Sequence, residues 1–193
     1  MNRRSGIESK RKILNVAMRV FSEHGYARAS MRMMAKASGI SIGGLYIYFK
    51  NKEDLYLTLI KSRLDDLIVK NRETIKDIKD PAEALSTFIS THLNYAKRHK
   101  ELILIQGREH GFAFGIEMKK KFFRSQRSLM EDIIRKGISM GIFSKCDVKE
   151  SAKIIINAMR GFVLSIVVES EALYSPEECS KLILHGLLRR NNR

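Results

Sequence analysis

The chain is poor in residues that interrupt helices: only two of its 193 residues are proline, Pro81 and Pro176. Each follows an acidic or polar residue and precedes an apolar-periodic run, the first-turn position where a missing N–H costs nothing. Cysteine is equally scarce. Cys146 and Cys179 show no CxxC spacing, which excludes a disulfide framework and fits a reducing compartment. Two ordinary buried or half-buried thiols and a redox pair both remain open. No stretch reaches about 18 consecutive apolar residues, so no membrane-spanning helix is expected. The opening MNRRSGIESK lacks the apolar run of a secretory signal, and the expected location is the cytoplasm. HExxH, GxSxG, a Gly-rich phosphate loop and paired Cys/His metal spacing are all missing, so neither metal nor cofactor is expected. His92, His99, His110 and His185 lie among acids, which makes general acid–base chemistry conceivable. Lone helical histidines are more often solvated or satisfied, and no enzyme is expected.

Acidic residues are also in deficit. The chain carries 36 Lys+Arg against 21 Asp+Glu, a formal net of +15. The excess is uneven: residues 1–50 hold ten basic residues against only Glu8 and Glu23, which is +8 of that total. A generally basic proteome would spread the charge evenly. A local basic footprint favours a polyanion through counterion release, without separating DNA from RNA or an anionic membrane.

What is present in quantity is helical periodicity. A chain of 193 residues is long enough to bury about 70% of its unfolded surface. Residues 52–75 place Leu55, Leu59, Ile60, Leu64, Leu67 and Ile68 on one face. Further helices are expected from Pro81, over about 101–107, over about 115–140 with a stop at Gly141, over 148–169, and from Pro176 to about 190. With no valine-rich alternating stretch and no repeat, the fold class expected is all-α with about nine helices. Residues 148–169 carry one stripe of Ala152, Ile155, Ile156, Met159, Phe162, Val163 and Ile166, and a second of Ile154, Ala158, Leu164 and Val168. A helix apolar on two sides is either central to its own chain or paired with a partner. Gly161 and Gly186 cost about 1 kcal/mol each inside a helix, and close helix approach is one reason to keep them.

The most informative stretch is 25–55, GYARASMRMMAKASGISIGGLYIYFKNKEDL. Ser30 is placed to cap a short helix bearing Met31, Met34 and Ala35, and Gly39 suits the left-handed residue that ends it. Ser41 caps a second short helix bearing Ile42, Leu45 and Phe49. Two helices of about two turns around a glycine-bearing turn form a helix-turn-helix pattern, whose second helix can enter a DNA major groove. That helix is too short to persist alone, so Leu45 and Phe49 must anchor it. Ile42, Gly43, Gly44 and Ile47 then face outward, with Tyr46 and Tyr48 at the edge. Ile42 can touch a thymine methyl, whereas Gly43 and Gly44 allow close backbone approach and read no base.

At these residues the chain resembles the TetR family of bacterial transcriptional regulators. The likeness rests on Gly25-Tyr26, Ser30, Met34-Ala35, Ala37, Gly39-Ile40-Ser41, Gly43, Leu45-Tyr46, Tyr48-Phe49, Lys52-Glu53 and Leu55. Upstream, Ile13-Leu14, Ala17 and Val20-Phe21 fit the family's first helix. Gly44 departs from the β-branched or small non-glycine residue usual there, and Ile42 from a polar or basic one. The resemblance implies a DNA-binding domain over 1–50 and a helical ligand-binding and dimerisation domain over 51–193. It also implies a homodimer through the last two helices, bound to double-stranded DNA at a palindromic operator. By geometry and by this resemblance Arg32 is the candidate for a bidentate guanine contact. Tyr46 and Tyr48 match positions that reach phosphates or thymines in relatives. Lys52, opening a helix, suits a phosphate; Ser30 and Ser41 suit either capping or phosphates. Arg3 and Arg4 are expected on an arm before the first helix.

The resemblance further implies a largely apolar small-molecule effector that releases a repressor from its operator. Phe88, His92, Tyr95, Phe112, Phe123, Met159 and Phe162 are the lining expected from aromatic and methionine content, with Phe114, Phe122 and Met130. Ordinary core packing explains the same residues. Arg108, beside Glu109 and His110, supplies either a polar anchor or a surface turn. The alternative function is a DNA-binding regulator or architectural protein without an inducer.

Overall fold

The computed structural model describes residues 3–105, 115–169 and 175–188. They form nine helical elements: α1 (Arg3–Arg28), α2 (Met31–Ser38), α3 (Ile42–Tyr48), α4 (Lys52–Ile75), α5 (Pro81–Arg98), α6 (Lys100–Ile105), α7 (Ile116–Ser139), α8 (Val148–Glu169) and α9 (Pro176–Leu187). The only β-type pairing among the described residues is an isolated bridge between Phe143 and Leu188. None of the helices is long and apolar enough to cross a membrane, among the described residues. The all-α class expected from periodicity is therefore the class observed. Two compact units divide the chain, one of residues 1–64 with 101–115 and one of 65–100 with 116–193.

In the first unit α1 packs on α2, and α2 on α3. The interior consists of Ile13, Leu14, Ala17, Val20 and Phe21 of α1, Met34 and Ala35 of α2, Leu45 of α3, Phe49, and Leu55, Tyr56, Leu59 and Ile60 of α4. The helical path of α1 breaks at Gly25, which adopts φ 73° and ψ 166°, a left-handed φ that a β-carbon disfavours. Helical backbone begins at Arg3. Arg3 and Arg4 thus belong to α1, not to an arm before it, with no proline between them and the run 10–12 to interrupt the helix.

In the second unit α5 packs on α7, α8 and α9, and α7 on α8. Leu85, Phe88 and Ile89 of α5, Met130 and Ile134 of α7, and Ala152, Ile156 and Met159 of α8 share one core. Asp80 caps α5 by accepting from the Ala82 N–H at 2.9 Å, with Pro81 in the first turn. Ser175 does the same for α9, ahead of Pro176. α7 ends at Gly141, φ 71°, where the Ile142 and Phe143 N–H groups donate back to the Gly137 carbonyl, both at 3.0 Å. α9 stops at Leu187, short of the expected 190, because Leu188 leaves the helix and the Ser144 N–H takes the Leu187 carbonyl at 2.9 Å.

Candidate nucleic-acid interface

The turn between α2 and α3 is built by capping on both sides. Ser30 accepts from the Met33 N–H at 3.2 Å. Gly39 sits at φ 69° and lets the Ile40 N–H reach back to the Ala35 carbonyl at 3.1 Å, a left-handed helix exit that favours glycine. Ser41 accepts from the Gly44 N–H at 3.0 Å. Both hydroxyls expected to choose between capping and phosphate are therefore capping.

α3 is fixed by what lies beneath it. Leu45 is fully buried and Phe49 nearly so. The Lys10 ammonium stands 5.3 Å from the centre of the Phe49 ring. Outward, Ile42 is 42% exposed, Tyr46 50% and Ile47 77%, so one edge of the helix is apolar and open. A β-carbon on Gly43 would meet nothing within 4 Å, while one on Gly44 would press on the Ser41 hydroxyl at 3.2 Å. Gly43 is thus free on its outer side, and Gly44 protects the cap. Tyr48 is half-buried, its ring 6.5 Å from that of Phe49. Arg32 and Lys36 are exposed on α2, and Lys50 just beyond α3.

Lys52 behaves differently from the sequence expectation. Its ammonium donates to the carbonyls of Tyr26 and Ala27 at 2.8 and 3.2 Å and lies 4.3 Å from the centre of the Tyr26 ring. It ties the start of α4 to the end of α1. Tyr26 in turn stacks on Phe21 at 5.6 Å and meets Tyr56 at 4.9 Å. Burial, then the nearby Glu53 carboxylate, raises the Tyr26 phenol above its ordinary pKa.

One feature escaped the sequence reading. Asn51 accepts from the Asp54 N–H at 2.8 Å while the Asp54 carboxylate accepts from the Lys50 N–H at 2.9 Å, a reciprocal cap that the Asn-x-x-Asp spacing signals. Ile47, expected to face outward, is the most exposed large apolar side chain among the described residues of the head; it follows Gly43 by four residues and so shares its face.

The residues expected around an effector fall in the second unit or outside the described residues, as Arg108 and Phe112 do. Phe88 and Met159 belong to the closed core, and Phe123 and Phe162 pack against it. Arg160 stands 4.3 Å over the Phe123 ring. His92 is buried with its ring 6.2 Å from Phe88 and 6.0 Å from Phe122. Tyr95 is half-buried, 4.3 Å from the His99 ring. A surface groove of about 330 Å³ runs elsewhere, lined by Lys70, Ser86, Thr87, Ser90, Thr91, Asn94 and Arg98. Of the cysteines, Cys179 is buried, which pushes its thiol pKa up, but Cys146 is exposed, contrary to the expectation for ordinary buried thiols. Cys146 follows the Gly141 turn in the segment before α8, outside the apolar register of either helix.

A capped pair of short helices with an open, apolar outer edge beside Arg32 and Lys36 is the reading head of a helix-turn-helix DNA-binding protein. Comparison with known proteins agrees. Residues 13–59 match the family model of bacterial regulatory proteins, tetR family, and residues 60–188 that of the YsiA-like C-terminal region. The chain belongs to the TetR family and is a DNA-binding transcriptional regulator. It is 26% identical over 163 residues to the fatty acid metabolism regulator protein of Bacillus subtilis, covering 82% of this chain and 84% of the relative. It is 28% identical over 151 residues to the transcriptional repressor KstR2 of Mycobacterium tuberculosis, 74% of each chain. Among solved structures, the FadR regulator of Bacillus subtilis in complex with stearoyl-CoA superposes with a TM-score of 0.72 at 25% identity, covering 90% of this chain and 95% of that one. A TetR regulator of Haloarcula marismortui superposes with a TM-score of 0.82 at 17% identity, over 94% and 99% of the two chains.

Proposed function

We propose that the protein is a homodimeric, cytoplasmic repressor that binds a near-palindromic operator through residues 1–50 and is released by a long-chain acyl effector held within residues 51–193. The observation that carries the DNA half is the open edge of α3, where Ile42, Gly43, Tyr46 and Ile47 face out over a fully buried Leu45. In this reading Arg32 hydrogen-bonds a guanine, Ile42 and Ile47 meet thymine methyls, and Tyr46 and Tyr48 reach thymines or phosphates.

Pairing through α8 and α9 is supported by the division of the two stripes of α8. Ala152, Ile155, Ile156 and Met159 are buried, whereas Ile154 is 63% exposed and Leu164 40%. On α9, Leu182 is 74% exposed. Gly161 and Gly186 are exposed, and a β-carbon on either would meet nothing within 4 Å. Among the described residues neither glycine is required by packing, and both permit close approach from outside the chain.

The acyl effector is supported by the stearoyl-CoA complex of the Bacillus subtilis relative, and repression by the KstR2 relative. A regulator without an inducer is the second reading, favoured by the closed packing of Phe88 and Met159. One titration decides between them. Footprinting should show two protected half-sites about one helical turn apart, and stearoyl-CoA should release the labelled operator in fluorescence anisotropy. Retention of the operator under saturating bound stearoyl-CoA would refute the effector half; a single unpaired half-site would refute the dimer.

A further inference from the structure

Three helices of the second unit bury polar side chains whose hydrogen bonding is incomplete. Asn71 of α4 is fully buried, Gln126 of α7 is 1% exposed and His92 of α5 is 5% exposed. Asn71 Nδ2 donates to Gln126 Oε1 at 2.6 Å. That bond uses the donor end of one amide and the acceptor end of the other. Among the described residues, Asn71 Oδ1, Gln126 Nε2 and His92 Nδ1 are each buried without a partner. Gln126 lies one turn beyond Phe122 on α7, and the Phe122 ring is 6.0 Å from that of His92.

Each orphan of this kind carries an uncompensated desolvation penalty, whereas a leucine pair of similar shape would carry none. Packing alone therefore gives no reason for these residues. Their open valences have a definite character. Gln126 Nε2 offers a donor, Asn71 Oδ1 an acceptor, and the neutral imidazole of His92 can serve as either at Nδ1. A ligand group that completes them must bring both a carbonyl oxygen and an N–H, and must be uncharged, since an unpaired charge in this interior would be far costlier than a dipole. A secondary amide carries both in one group. An ester or thioester carries only the acceptor, and a carboxylate brings a charge.

We propose that the Asn71–Gln126–His92 cluster is the polar recognition element of the effector site and takes a secondary amide attached to an acyl chain. This rests on the acyl-effector reading above. It adds the group that the interior selects: an amide of the kind found in the pantetheine arm of an acyl-CoA or in an N-acyl amine.

The test is a matched pair of probes, N-methyl lauramide and methyl laurate, which differ only in N–H against ester oxygen. Calorimetry on the full chain should give at least tenfold tighter binding of the amide. The double variant Asn71→Leu/Gln126→Leu removes both orphans, so its melting temperature should hold or rise while the amide preference falls to near unity. A cluster with a purely structural role would leave the preference unmoved. Equal binding of the two probes by the unaltered protein overturns the proposal, and needs no variant to fold. So does a preference that survives in the double variant. If neither probe binds but stearoyl-CoA does, the amide assignment fails and the acyl-effector reading stands. If no acyl compound binds, that reading fails as well.

Discussion

At the scale of single residues, Arg32 and Lys52 make opposite predictions. Arg32 is exposed on α2, and no cap among the described residues of the head uses its guanidinium. Arg32→Ala should leave the melting temperature unchanged and lose about 1–3 kcal/mol of discrimination at one base pair, read as a flattened preference in binding to an operator-variant library. Lys52 holds two carbonyls at the end of α1. Lys52→Met should lower stability by about 1–3 kcal/mol, the range for charge-assisted hydrogen bonds with a cation–π contact added. DNA affinity should fall for all sequences alike, as a consequence of a loosened head. Thermal melts of the two variants side by side separate these roles. The sequence showed both cations but not this difference, since the partners of Lys52 lie some 25 positions upstream in the chain.

His92 supplies the prediction for pH. Burial pushes its imidazole pKa from the ordinary 6.5 down to about 4, so the folded state resists a proton that the unfolded chain accepts. Between those values the unfolded chain binds more protons, and stability falls as pH falls. The contribution is intact above about pH 6.5, declines below it and is spent near pH 4, a loss on the order of 3 kcal/mol. Denaturant midpoints measured from pH 7 to pH 4 should show this decline, and His92→Phe should flatten that part of it.

At the scale of elements, local signals made most of the fold legible. Ser30, Gly39, Ser41, Pro81, Gly141 and Pro176 each mark an end where the structure ends or begins a helix, because capping and left-handed exits depend on one or two neighbouring residues. Long-range fits were not legible. The end of α9 is set by a bridge from Leu188 to Phe143, and Phe143 itself lies where a β-carbon on Gly137 would overlap its ring. Nothing in the sequence around Gly137 distinguishes it from an ordinary helical glycine. Helix propensity alone predicts that Gly137→Ala stabilises α7 by about 1 kcal/mol. The close packing predicts the opposite, a net loss of about 1–3 kcal/mol, as the fully buried Phe143 has no free volume to yield. A chemical melt of that variant reads the sign directly. The site divides along the same line: the outward face of α3 follows from periodicity, whereas the pairing of Asn71 with Gln126, 55 residues apart, does not.

At the scale of the whole molecule, the proposed dimer would link assembly and DNA binding through Gly161. Its β-carbon position is open among the described residues, so Gly161→Leu can direct its side chain outward and should gain about 1 kcal/mol of helix propensity. If α8 faces its copy there, the added side chain separates the protomers. Sedimentation should then find a single 22.2 kDa chain where the unaltered protein sediments at twice that mass. The DNA consequence is quantitative. Each phosphate neutralised contributes about −0.9 to the slope of log K against log salt concentration, and a dimer on two half-sites neutralises twice as many as one head on one. Anisotropy titrations from about 50 to 200 mM salt should therefore give the Gly161→Leu protein half the slope of the unaltered protein on the full operator, and the same slope on an isolated half-site. A variant that stays dimeric, or a monomer that keeps the full slope, would mean that α8 does not bring the two heads together.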